Sequence, residues 1–103
     1  MQCGNKTNAY KHIKHVCPLR RHNTPGEPMI SATKIPNIRE GPMLGHCAVL
    51  KRFHNAGYDP NDTLIVFYPS GLNSVNFAIY GTFLKLGYEV VVCYWDSSTG
   101  SYF

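Results

Sequence analysis

Thr63-Leu64-Ile65-Val66-Phe67-Tyr68, closed by Pro69, is a continuous apolar run of strand length. It does not alternate with polar residues, which predicts a strand buried on both faces, as in the interior of a parallel sheet. Ser70-Gly71 then makes a tight turn, and a helix follows from near Leu72. Leu72, Val75, Ile79, Phe83 and Leu86 define its buried face, widened by Phe77, Tyr80 and Leu84. Gly87 stands where a helix C-terminus takes a left-handed residue. Tyr88 to Trp95, with Val90-Val91-Val92-Cys93 at its centre, is the next strand. Strand, turn, helix, glycine, strand is the signature of a β-α-β unit.

Working outward, the same grammar recurs upstream. A helix is predicted from about 43 to 56, with Pro42 in its first turn and Gly57 as its stop. Its apolar stripe reads Met43, Cys47, Leu50 and Phe53, with Leu44 and Ala48 beside it. Met29 to Ile35 is a weaker strand, ended by Pro36. The expectation is therefore an α/β fold, a small Rossmann-like β-α-β-α-β three-layer domain over 29–103. An irregular basic arm or cap over 1–28 precedes it, with loop as its default. Three strands are few for an independent sheet, so further strands are expected from the N-terminal segment or from a second copy. An α+β fold with an antiparallel edge is the competing architecture.

Composition narrows the class. Charged residues make up only 16% of the 103, low against a typical quarter, while aromatics reach 13%. Such a chain can bury enough apolar surface to offset its ordering entropy, and part of its surface is expected to be covered by a partner. The charge is uneven. Residues 1–52 carry nine Lys/Arg against Glu27 and Glu40, a local net of +7, and residues 53–103 carry a net of −3. The longest apolar run, Val90 to Trp95, is too short to span a bilayer, so no membrane association is expected. No apolar leader is visible, so the reading places the chain in the cytoplasm with its four cysteines as thiols. Cys47 and Cys93 read first as small buried hydrophobes.

In an open parallel sheet, ligands bind beyond the C-terminal ends of the strands. Three loops meet that condition. The best candidate contains Ser70, Gly71, Asn73 and Ser74, where exposed N–H groups and small hydroxyls suit a phosphate or carboxylate. Equally, Ser70 is an ordinary helix cap and Gly71 an ordinary turn residue. A second loop offers Arg39 as an anion clamp and His46 as a proton carrier near neutral pH, or as a hydrogen-bonded core histidine. The third offers Asp96, either a site acid or a turn acid. A Ser70-His46-Asp96 triad is conceivable, yet Tyr68-Pro69-Ser70-Gly71-Leu72 is no nucleophile elbow, and acyl transfer ranks last. No Gly-x-Gly-x-x-Gly or Gly-Lys-Ser/Thr stretch is present, and no cofactor is expected.

The N-terminal segment holds Cys3, His12, His15, Cys17 and His22, enough donors for one zinc but with irregular spacing and no Cys-x-x-Cys. Its charge supports at most weak, salt-sensitive, non-specific nucleic-acid binding. The first-ranked function is a small non-enzymatic interaction or regulatory protein, holding a protein partner or a second copy through its basic arm and exposed aromatics. The alternative is a nucleotide- or phosphate-binding protein, with or without turnover, whose site is the Ser70-Gly71 turn.

Overall fold

A computed structural model describes residues 10–19, 24–30, 38–69, 73–96 and 98–103. Eight regular elements follow along the chain: β1 (His12–Cys17), β2 (Glu27–Pro28), α1 (Gly41–Val49), β3 (Thr63–Phe67), α2 (Asn73–Lys85), β4 (Glu89–Val92), β5 (Trp95–Asp96) and β6 (Ser101–Tyr102). A 3-10 turn (Ile38–Glu40) leads into α1, and a π-helical segment (Leu50–His54) extends it. The first four strands form one parallel sheet in the order β2-β1-β3-β4, and β5 and β6 pair as a separate antiparallel hairpin.

The run that decides the fold behaves as expected. All five residues of β3 are buried, and the strand is paired on both sides. Its alternation sorts two cores. Ile65 and Phe67 join Val16, Val49, Phe53, Val75, Ile79 and Phe83 on the front of the sheet. Leu64 and Val66 join Cys17, Tyr68 and Cys93 on the back. Both helices thus pack on the front. The reason is topological: the step from β2 to β3, which passes β1 and carries α1, and the step from β3 to β4, which carries α2, advance in one direction. Right-handed crossovers, the near-universal hand, then leave their helices on one face. The sheet flanked by two helices is compatible with a Rossmann-like three-layer arrangement; among the described residues the back is covered by Tyr10 and by Tyr102 of the hairpin and by no helix.

Three expectations need correcting. His12–Cys17, where loop was the default, is an interior strand and supplies one of the further strands expected from the N-terminal segment: His12 through Val16 pair with Thr63 through Phe67. Of the strand expected from Met29, the described residues Met29 and Ile30 lie just past β2. Both are buried, and their N–H groups donate to Cys17 and Pro18 carbonyls at 2.8 Å; residues 31–35 lie outside the described residues. The stripe assigned to the first helix holds only in part. Phe53 is buried and Ala48 packs against the core, but Met43, Leu44 and Cys47 are exposed, and the buried line is Gly41, Gly45, Val49 and Phe53. A Cβ at Gly45 would come within 2.9 Å of Ile79 Cγ1, so the two helices touch where one has no side chain. Close approach, not hydrophobicity, selected that face.

Gly57 (φ +86°) and Gly87 (φ +91°) end their helices in the left-handed conformation, as their positions suggested. Cys17 and Cys47 are thiols, whereas Cys93 is disulfide-bonded, against the expectation of thiols throughout. Among the described residues no helix is long and apolar enough to cross a membrane.

Candidate functional site: an aromatic groove beside β4

β3 stops pairing at Phe67, and Pro69 has no N–H to continue a ladder. β4 ends one strand away at Val92, where Cys93 N–H still donates to Phe67 C=O at 2.9 Å. Tyr94 then leaves the sheet and exchanges two hydrogen bonds, each 2.9 Å, with Phe103. The rings of Tyr94 and Phe103 lie 6.0 Å apart. Between this corner and the first two turns of α2 opens a groove of about 270 Å3, lined by Phe67, Pro69, Asn73, Asn76, Phe77, Tyr80, Val92 and Tyr94.

None of these lining side chains is ionisable near neutral pH. The polar groups are the two amides and the tyrosine hydroxyls, and the rest is apolar or aromatic. Phe77, 73% exposed, is the most open large apolar side chain among the described residues, and Tyr94 is 54% exposed. The groove is continuous with a sheet edge, since β4 has no neighbour on its outer side among the described residues. Cys93 N–H faces β3, so by alternation the N–H and C=O groups of Val90 and Val92 face outward.

The residues singled out from sequence are distributed unevenly around this groove. Ser70 and Gly71 lie outside the described residues. Asn73 lines the groove, and Ser74 is exposed in the same first turn of α2. Arg39 is exposed on the 3-10 turn before α1 and is not among the lining residues. His46 lies between the helices, its Nδ1 3.0 Å from Thr82 Oγ1, while that hydroxyl donates to Ala78 C=O at 2.6 Å. Asp96 ends β5 where the hairpin turn begins, and its Oδ1 accepts from Ser98 Oγ at 2.7 Å and from Ser98 N–H at 2.9 Å. Those hydrogen bonds, the side-chain one foremost, hold its carboxyl below the usual aspartate range. The described geometry therefore engages His46 and Asp96 with separate local partners.

The candidate zinc donors of the N-terminal segment diverge in a similar way. His12 and His15 stand three residues apart on a strand and so point to opposite faces. His12 meets the edge of Tyr58 at 5.3 Å between centroids, and His15 Nδ1 lies 2.8 Å from Tyr68 Oη. Among the described residues no group of three His, Cys, Asp or Glu side chains converges as metal ligands; Cys3 and His22 lie outside them.

Sequence reasoning missed Phe77, Tyr80 and Tyr94 as site residues, although a signal existed. The apolar arc of α2 is too wide for a helix that touches one sheet face and one neighbour. Asn76 and Thr82 are buried where α2 packs, so Phe77 and Leu84, expected in the core, are left exposed. Comparison with protein-family models, with curated proteins and with solved structures finds no match to this chain.

Proposed function

We propose that this small α/β domain is a non-enzymatic binding module that takes an extended segment of a protein partner along β4. The segment's aromatic or branched side chain fills the adjoining groove. One observation carries the reading: an uncharged groove walled by exposed aromatics is continuous with a strand edge that has no neighbouring strand among the described residues. Edge addition gives affinity through main-chain hydrogen bonds, and the groove gives selectivity. Depletion of charge with enrichment in Tyr and Phe is the composition of interface centres. The alternative, a phosphate-bearing ligand at the Ser70-Gly71 turn, involves residues outside the described set and finds no cation among the groove-lining side chains.

Selection of displayed random peptides on the wild-type protein, with Phe77→Glu as the counter-target, tests the proposal. Phe77 is mostly exposed, so the variant keeps its thermal midpoint. The selected peptides are expected to show strand-like alternation around one aromatic or branched anchor. They should bind Phe77→Glu about tenfold or more weakly, the loss of a typical interface hot spot. Peptides indifferent to Phe77→Glu, or a failure to select any, overturn the reading. A concentration-dependent dimer in sedimentation, lost in Phe77→Glu, would make the partner a second copy of this chain.

A further inference from the structure

The front of the sheet has a second opening, at the opposite end of β1 from its buried tip. There the face that is apolar elsewhere carries His12 and Lys14. Strand alternation turns Lys14 toward the same side as Val16, whose side chain belongs to the front core. Lys14 is half-buried, and among the described residues no carboxylate pairs with it. Its ammonium rests 4.7 Å from the centroid of the Tyr58 ring. An ammonium drawn out of water for a ring face alone keeps most of its capacity to attract an anion.

Lys14 lines a cleft of about 480 Å3. The π-helical segment Leu50–His54 forms another wall. It sends Phe53 into the core and Arg52 into the cleft, where one guanidinium nitrogen donates to Pro28 C=O at 2.9 Å. Glu27 stands 3.7 Å from that guanidinium, but it is 76% exposed and free to turn toward water. Arg52 keeps further N–H donors beyond the one spent on Pro28. Buried Met29 and Phe53 supply an apolar floor. π-helical turns recur at functional sites because they re-aim side chains at the cost of helix regularity. Backbone groups contribute as well. β2 pairs with β1 only at Val16 and Cys17, so the earlier part of that β1 edge opens into the cleft at Ile13 and His15.

We propose that this cleft binds a phosphate monoester with an apolar or aromatic body, its head met by Lys14 and Arg52 and its body lying on Phe53 and Met29. Two cations favour a divalent head over a carboxylate, since the attraction scales with the ligand's charge. The cleft is of ordinary size for a small ligand. The site is separate from the groove beside β4, and neither depends on the other.

Titration of the isotope-labelled full chain with phenyl phosphate, followed by amide shifts, provides the test. Saturable shifts are expected at Lys14, Val16 and Tyr58. Lys14→Met, which keeps the stem and removes the charge, should weaken binding about tenfold, the loss of one charge-assisted contact. Arg52→Gln should weaken it comparably, and both variants should unfold at or near the wild-type temperature. Phe77→Glu should bind phenyl phosphate as wild type does, which separates this site from the groove. Benzoate binding as tightly as phenyl phosphate overturns the divalent head. An absence of saturable shifts at millimolar phenyl phosphate, or undiminished binding by a folded Lys14→Met, overturns the site.

Discussion

The two faces of the sheet are closed in different ways. On the front, α1 and α2 lay Val49, Phe53, Val75, Ile79 and Phe83 over Val16, Ile65 and Phe67, and most of these side chains are entirely shielded. On the back, Leu64 and Val66 are equally shielded, yet among the described residues their cover is rings and no helix, chiefly Tyr10 and Tyr102, the second carried on a two-residue strand. Ile13 and His15, also on the back, stay exposed. Two successive crossovers that advance in one direction, β2 to β3 and β3 to β4, place their helices on one face. On the other face the cover among the described residues is a few large rings. Leu64 and Val66 are as deeply buried as Ile65 and Phe67, but among the described residues the packing behind them is thinner.

The comparison is open to experiment, and the front should give the largest effect. Phe83 is fully buried against Phe53 and Tyr88, with ring centroids 5.0 and 5.7 Å away. Phe83→Ala should cost about 3–5 kcal/mol in urea unfolding, a large part of the stability of a domain of this size. A loss well under that would mean the front is not the principal core. On the back, Tyr102 meets the Tyr68 ring edge-on at 5.2 Å and the Trp95 ring at the same distance. Tyr102→Ala should cost about 1–2 kcal/mol by the same measurement. A cost equal to that of Phe83→Ala would erase the distinction between the faces.

The smallest effect compares one tyrosine from each face. Burial, with help from Tyr102, raises the Tyr68 hydroxyl above the usual value of 10.0 on the back. Burial, with help from Asp59, raises Tyr88 on the front. A raised folded-state value means that the folded chain holds its proton longer than the unfolded chain. The stability from each tyrosine is therefore complete below pH 10 and is lost as pH rises through the folded value. Alkaline unfolding curves should lose part of this slope in Tyr68→Phe and in Tyr88→Phe. An unchanged slope in both variants would exclude these hydroxyls as its source.

What was legible in the sequence follows from what each element advertises. β3 announces itself because a strand buried on both faces must be apolar throughout, and α2 because Gly87 marks a stop that few other residues tolerate. β4 was legible from its valines, but it is a half-buried edge strand that ends at Val92 and not at Trp95. β1 does not announce itself. His12-Ile13-Lys14-His15 mixes polar residues on both faces, and the strand is held by main-chain bonds to β3, which leave no trace in side-chain chemistry. The buried line of α1 was hidden for a related reason, since Gly41 and Gly45 carry no hydrophobic signal and are buried for their smallness. The groove was half legible: Asn73 was singled out, whereas Phe77 and Tyr80 were counted as core, although the width of the apolar arc of α2 marks part of it as surplus to the core. Ser70-Gly71 lies beyond what the described residues address.

The position of β1 also bears on the order in which the molecule assembles. His12 pairs with Thr63, 51 residues further along the chain, while β3 and β4 are joined by one helix. During synthesis the first strand is made long before its partner leaves the ribosome. It must wait, with its hydrogen-bonding groups satisfied by water, until β3 emerges. The local unit β3-α2-β4 has the shorter loop to close and is the natural place for folding to begin. A strand with histidines and a lysine exposed along it can wait in solution where an apolar one would aggregate. The polar character that concealed β1 from sequence reading thus suits a segment that is translated first and docked last.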